Sequence, residues 1–306
     1  MTIACGIDIG TNSFRLLVAE IHNGCLLPLA HDLTTVRLGE DLELTGLLAP
    51  AALLRAEAAL IRFAEKMAAY PMHSVRACAT HAVRKASNSQ AFLQQAEALT
   101  GLSIEVLSGE EEAHLALLGV LSALPGEKRR YPLFLVDVGG GSSELIIQAT
   151  AESDTWAISL PLGAVGLTEE FGMNHEAMRE KIRAILAPAL QRITKGERLR
   201  PDLSLIASGG TATSLAALAL GLNRYDAQQV QNYHLSQAEL HRLVTWLTSL
   251  APEKRNALTC LTDRRGEIIV AGAVLLQELQ QALAISMLVS NAGLLEGILL
   301  SGATSC

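Results

Sequence analysis

Ile7-Asp8-Ile9-Gly10-Thr11-Asn12-Ser13-Phe14-Arg15-Leu16 and Val136-Asp137-Val138-Gly139-Gly140-Gly141-Ser142-Ser143-Glu144-Leu145 align without a gap at a constant offset of 129 residues. Asp, Gly, Ser and Leu recur at matching places. Each copy is an apolar run, a glycine turn and a second run of strand formers. A repeat in two matching hairpin contexts predicts two similar α/β domains, each opening with strand, tight loop and strand.

The pattern outward from each copy agrees. Strands are predicted over Ile3–Ile9, Phe14–Ile21, Leu26–Arg37, Val75–Ala79 and Ile104–Leu107. A helix should run from Pro50, a favoured first helical residue, to about Ala69. Another should run from an Asn88 cap to Gly101. Ser108-Gly109-Glu110-Glu111 reads as a capping box that opens a helix to about Leu124. Pro125-Gly126-Glu127-Lys128-Arg129-Arg130 is turn-rich, charged and central, and marks a linker. After it come predicted strands at Leu133–Val138, Glu144–Ala149, Thr155–Leu160, Leu203–Ala207 and Ile285–Ser290. Helices are predicted near His175–Thr194, Ala212–Leu220, Gly266–Leu283 and Gly293–Leu300, and Ser236-Gln237-Ala238-Glu239 is a second capping box. The expected domains are residues 1–124 and 131–292, hinged near 121–130, with a last helix within 293–306 returning to the first.

Composition bounds the function. The 306 residues are half hydrophobic and 18% charged, enough for two cores. The net charge of −7 argues against a nucleic-acid partner, because non-specific affinity comes from Lys and Arg on phosphates. A polyanion would need a local basic cleft. Five scattered cysteines (Cys5, Cys25, Cys78, Cys260 and Cys306) lack any C-x-x-C pair and read as free thiols of a reducing compartment. The apolar stretches around Ile268–Leu276 and Leu283–Leu295 are short or interrupted for a membrane span. The chemistry-bearing segment starts by Gly6, which leaves no room for a signal peptide. A cytoplasmic protein without a membrane partner is expected.

The repeated turn has a chemical use. Gly10, Gly139, Gly140 and Gly141 allow backbone angles that let successive N–H groups cradle a phosphate. Thr11, Ser13, Ser142 and Ser143 add hydroxyls. Asp8 and Asp137, at the strand ends, can hold a divalent cation directly or through water. The copies differ in charge at one place: Arg15 stands where the second copy has Glu144. One hairpin thus offers a cation to a phosphate, the other a carboxylate pair, Asp137 and Glu144, to a metal. Leu205-Ile206-Ala207-Ser208-Gly209-Gly210-Thr211-Ala212-Thr213 is a third phosphate-loop candidate, a strand running into a helix N-terminus; it reads equally well as a turn needing glycine only for shape. In Glu110-Glu111-Glu112, Glu111 has capping-box spacing and Glu112 lies on a different helix face. Spacing alone does not choose a catalytic carboxylate among them.

The order of segments resembles the Ppx/GppA family of exopolyphosphatases and guanosine pentaphosphate phosphohydrolases, within the sugar-kinase/Hsp70/actin superfamily. The pieces are Gly6–Leu17, Arg37-Leu38-Gly39-Glu40, Ala79–Arg84 with Asn88, Ser108–Ala113, Asp137–Leu145, Ser159–Glu169 (SLPLGAVGLTE), Gly209–Leu215 (GGTATSL), and Arg265 with Ala271-Gly272-Ala273. The resemblance implies two ribonuclease-H-like α/β domains with an active-site cleft between them. It implies that Glu112 activates the attacking water and that Asp137 and Glu144, with Asp8, serve Mg²⁺ or another divalent cation. Arg84 would contact phosphate. Gly10, Thr11, Asn12, Ser13 and Arg15, with Gly139, Gly140, Gly141, Ser142, Gly209, Gly210, Thr211 and Arg265, would bind it.

The chain departs from that family in reading Gly166 and Leu295 where many members have Arg, Gln231 where many have His, and Glu267 where Asp is common. The resemblance is to a two-domain short form, expected without the C-terminal helical domains of longer members. The expected activity is release of terminal phosphate from inorganic polyphosphate, short chains preferred, by a homodimer. The alternatives are a guanosine pentaphosphate phosphohydrolase, an ATP-dependent kinase or ATPase, and a non-catalytic polyphosphate or guanosine tetraphosphate sensor.

Overall fold

A computed structural model of the chain describes residues 2–22, 25–195, 203–261 and 264–303. The chain divides into two compact units, Met1–Ser122 with Gly293–Cys306, and Ala123–Ala292.

The first unit is built on a five-stranded sheet. Its strands are β1 (Thr2–Ile9), β2 (Ser13–His22), β3 (Cys25–Thr35), β4 (Ser74–Ala79) and β5 (Ile104–Val106), in the order β3-β2-β1-β4-β5. β1, β2 and β3 form an antiparallel meander, while β4 and β5 run parallel to β1. β3 stops at Thr35, short of the predicted Arg37, because Arg37 has φ +54° and leaves the extended region. Helices α1 (Leu42–Thr45), α2 (Pro50–Met67), α3 (His81–Lys85), α4 (Ser89–Thr100) and α5 (Gly109–Ala123) complete this part. α2 buries Ala52, Ala56, Ala59, Leu60, Phe63 and Met67, a stripe at helical spacing, against a core that holds Ile7, Phe14 and Leu16. Asn88 does not cap α4 through its side chain. It clamps the main chain of Leu48 instead, accepting from its N–H at 2.9 Å and donating to its carbonyl at 3.0 Å.

The second unit repeats the meander. β6 (Leu133–Val138), β7 (Ser143–Gln148) and β8 (Thr155–Leu160) are antiparallel, and β9 (Ser204–Ser208) and β11 (Met287–Val289) continue in parallel; a short β10 (His234–Leu235) closes the edge, in the order β10-β11-β9-β6-β7-β8. Helices α6 (Ala164–Phe171), α7 (His175–Lys195), α8 (Gly209–Ala219), α9 (Ala227–Val230), α10 (Gln237–Ser249), α11 (Pro252–Asn256) and α12 (Ile269–Leu283) surround it. α8 begins at Gly209, three residues before the predicted start. The helix predicted from Gly266 is a 3₁₀ turn, Arg265–Glu267, followed by α12. Ser236 and Glu239 make the predicted capping box of α10. α7 and α12 are joined by an ion cluster on the buried Glu278: Arg179 Nη1 and Arg183 Nε each lie 2.6 Å from its carboxylate.

The last helix, α13 (Leu294–Ala303), belongs with the first unit. Leu295 and Leu299 pack with Ala4, Leu17 and Ala19 of β1 and β2. The approach is close enough that a Cβ on Gly6 would sit 3.0 Å from the Leu295 carbonyl. Leu295 is 2% exposed, an apolar place filled by an apolar residue. Cys5, Cys25, Cys78 and Cys260 are free thiols, and burial pushes Cys5 and Cys78 up to about 12; Cys306 lies outside the described residues. Among the described residues no helix is long and apolar enough to cross a membrane.

Candidate active site

The two glycine loops are built alike down to single hydrogen bonds. Gly10 N–H donates to Ser13 O at 3.2 Å, and Gly139 N–H donates to Ser142 O at 3.0 Å, the same bond at the repeat offset. A Cβ at either glycine would meet that same carbonyl, at 2.8 Å from Ser13 O or 2.9 Å from Ser142 O, so both turns demand glycine.

Each loop also has a buttress that takes up its carbonyls. In the first unit the N–H groups of Val36 and Arg37 donate to Asn12 O at 3.0 and 2.7 Å, and Gly39 N–H donates to Thr11 O at 2.9 Å. In the second unit the start of α6 does this work: Ala164 N–H reaches Gly139 O at 3.0 Å and Val165 N–H reaches Gly140 O at 2.8 Å. A trans peptide points its N–H opposite to its carbonyl. The N–H groups of Asn12 and Ser13, and of Gly140 and Gly141, are therefore turned away from the buttresses. That is the arrangement of an anion nest. The strap at residues 36–39 is itself held by Arg55, whose Nε donates to Val36 O at 2.6 Å and whose Nη2 lies 2.6 Å from Glu40. The R-L-G-E segment was visible in the sequence, but nothing there pointed to Arg55.

Cross-strand register sets the charged groups. Asp8 pairs with Arg15 across β1 and β2, and Asp137 pairs with Glu144 across β6 and β7. Directly paired residues put their side chains on one face of a sheet. In the second unit the row continues to Ser159 on β8 and Ser208 on β9. Ser159 Oγ donates to Glu144 Oε1 at 2.7 Å. Ser208 Oγ is buried without a partner. Gly209, at φ +86°, opens α8 beside this row, and a Cβ there would lie 2.5 Å from Asp137 Oδ1. Arg265 Nη1 donates to Gly210 O at 3.1 Å and to Ser214 Oγ at 3.2 Å, so Arg265 and the Gly209-Gly210-Thr211 turn form one cluster with Asp137.

The first unit gathers the others. Asp8 is 2% exposed; its Oδ2 accepts from Arg15, while its Oδ1 is buried without a partner. Glu111 completes the capping box, accepting from Ser108 N–H at 2.8 Å, and those bonds hold its carboxyl below the usual range. Glu110 and Glu111 are exposed, whereas Glu112 is 8% exposed. Arg84, on α3, donates from Nη1 to Leu107 O at 2.5 Å and to Glu112 Oε2 at 3.2 Å. One glutamate is thus spent on the cap, and the next is buried and oriented by an arginine.

Metal chemistry can be tested on these groups. Asp137 and Glu144 are hard oxygen donors side by side, where two like charges repel unless a cation joins them. No group of three or more His, Cys, Asp or Glu side chains that could hold a metal occurs among the described residues. Two carboxylates, with substrate oxygens and water filling the other positions, suit Mg²⁺. Asp8 fits less well, since Arg15 already occupies one of its oxygens.

The profile of the Ppx/GppA phosphatase family matches residues 17–305. Exopolyphosphatase 2 of Mycobacterium tuberculosis is 32% identical over 323 aligned positions, covering 98% of each chain. Among solved structures, the Aquifex aeolicus member of the Ppx/GppA family is 28% identical with a TM-score of 0.80, over 99% of this chain and 98% of that one. An exopolyphosphatase from Cytophaga hutchinsonii is 26% identical with a TM-score of 0.88, over 98% of each.

Proposed function

Since this chain belongs to the Ppx/GppA phosphatase family, whose fold is that of the actin-like ATPase and sugar-kinase superfamily, we propose that it is an exopolyphosphatase that releases terminal phosphate from short inorganic polyphosphate. The observation that carries this reading is Glu112, a buried carboxylate at the start of α5 that the helix cap does not use and that Arg84 orients. Water attack needs a base held at one position, and a general base contributes about 10²–10⁴-fold. Glu112 accepts the proton of the attacking water. The N–H groups of Asn12, Ser13, Gly140 and Gly141 and the guanidinium groups of Arg84 and Arg265 bind and orient the phosphoryl oxygens. Asp137 and Glu144 would hold Mg²⁺, which when bound neutralises charge on those oxygens. Phosphoryl transfer relies mainly on such positioning and electrostatics.

The preference for short chains is supported by composition: long polyanions need successive basic contacts, and this acidic chain has Gly166 and Gln231 where such groups could stand. The same reading takes the enzyme as a cytoplasmic homodimer. The test is phosphate release from polyphosphates of graded length and from guanosine pentaphosphate, with and without Mg²⁺. Mg²⁺-dependent release that is fastest for chains of a few units is expected. Faster turnover of guanosine pentaphosphate would make the chain a nucleotide phosphohydrolase. Release that rises steadily with length would reject the short-chain assignment, and binding without release would reject the enzyme.

A further inference from the structure

The short helix α11 buries a single residue, and that residue is an arginine. Pro252, Glu253, Lys254 and Asn256 are exposed, whereas Arg255 is 4% exposed. Its Nε has no hydrogen-bond partner, and among the described residues its guanidinium joins no ion pair. A guanidinium does not give up its proton in a protein. Burying it unpaired is therefore one of the costliest arrangements a fold can hold. Burial outweighs the pull of exposed Glu253 and holds Arg255 below its ordinary value. Such a group calls for a counter-anion from outside the chain.

Arg255 lines a cavity of about 220 Å³, whose walls are otherwise largely apolar, with Met173, Met178, Pro252, Val270 and Ala271 among them. The other polar side chains of the wall are engaged: Thr168 Oγ1 donates to Ala164 O at 2.6 Å, and Glu267 accepts from Arg264 Nε at 2.7 Å. His175, at the start of α7, has a buried Nε2 without a partner. Burial above all, and after it the charges of Arg255 and Arg179, hold its imidazole below the ordinary value.

We propose that this cavity binds a small organic monocarboxylate, with the carboxylate on Arg255 and a short apolar body against the methionines, Val270 and Ala271. A guanidinium fork matches one carboxylate in bidentate geometry. The apolar walls give a second or third negative charge no donor, which disfavours phosphate and polyphosphate. The volume is below the roughly 300–1,000 Å³ of drug-sized sites, so a nucleotide does not fit, yet it exceeds the roughly 10–15 Å³ that one water requires. None of the residues assigned to phosphate or metal lines this cavity, and the inference does not rest on the proposed hydrolysis.

The experiment is calorimetric titration and thermal shift of the intact protein with acetate, butanoate, benzoate, methyl benzoate and inorganic phosphate. Butanoate or benzoate should bind saturably and raise Tm, at least about tenfold more tightly than methyl benzoate or phosphate, the loss expected when a charge-assisted hydrogen bond is missing. Arg255→Gln should abolish the binding. Met173 is 56% exposed, so Met173→Glu should fold normally and weaken binding several-fold by placing a competing carboxylate at the wall. This second variant keeps the test decisive if Arg255→Gln fails to fold. No saturable carboxylate binding, equal binding of the ester, tighter binding of phosphate, or unchanged affinity in Met173→Glu would each overturn the proposal.

Discussion

Arg15 commits two of its three guanidinium nitrogens to Asp8: Nη2 and Nε lie 2.6 and 2.7 Å from Asp8 Oδ2. The repeat places Glu144 opposite Asp137 at the same register. The same cross-strand position thus pairs an aspartate with an arginine in one unit and with a second carboxylate in the other.

Arg15→Gln should leave the nearly fully buried Asp8 without its partner. Breaking a buried pair from one side costs about 3–5 kcal/mol. Arg15→Gln with Asp8→Asn should lose less than the sum of the single changes, because the stranded charge is gone. Urea denaturation of the three variants measures this. Strict additivity would mean that the pair is not coupled.

Glu112→Gln should keep substrate binding and lower kcat by about 10²–10⁴-fold. Glu111→Gln should touch kcat little, because Glu111 is exposed and occupied with Ser108. Single-turnover kinetics with tripolyphosphate compares the two. Equal losses would remove the distinction between cap and base.

Asp137→Asn and Glu144→Gln should each raise the Mg²⁺ concentration that gives half-maximal phosphate release. Ser159→Ala should raise it less, since it removes one hydrogen bond to Glu144 rather than a ligand. Mg²⁺ titration of activity is the measurement. An unchanged midpoint in both carboxylate variants would take them out of the metal site.

Much of this was legible because it is local. The Ser108–Glu111 and Ser236–Glu239 capping boxes depend on residues three apart, and both are formed. The glycine turns repeat at one offset and carry one backbone bond each. The unread parts depend on long-range contact. α6 starts where it does because Ala164 and Val165 bond the Gly139–Gly140 carbonyls, and the strap at Arg37 adopts a left-handed φ because it docks on Asn12. Asn88 had cap chemistry, but Leu48, forty residues away, claimed its amide. Which of three consecutive glutamates is buried depends on what packs against α5, and no pattern within the motif encodes that.

The Glu278 cluster gives the protein a defined acid sensitivity. Burial of Glu278 disfavours its charge, but hydrogen bonds and charges from Arg183 and Arg179 outweigh burial and hold its carboxyl below the usual range. Folded Glu278 thus binds its proton less tightly than it does unfolded. The contribution is complete above the unfolded value, near 4.3 for glutamate, and fades as pH falls through that value toward the depressed folded one. Glu278→Gln keeps the shape and one acceptor oxygen and removes the charge. At pH 7 it should destabilise by about 1.5–3 kcal/mol, the range for hydrogen bonds to a charged group. The Arg183 side chain is 54% exposed, so water screens its share and most of the loss should trace to Arg179. Below about pH 4 the gap between wild type and variant should begin to close, because Glu278 of the unfolded chain takes up its proton there before the folded one does. Urea denaturation of both proteins at pH 7, 5 and 3.5 decides it. A gap that stays constant or widens on the acid side would show that Glu278 stabilises the α7–α12 contact by packing rather than by charge.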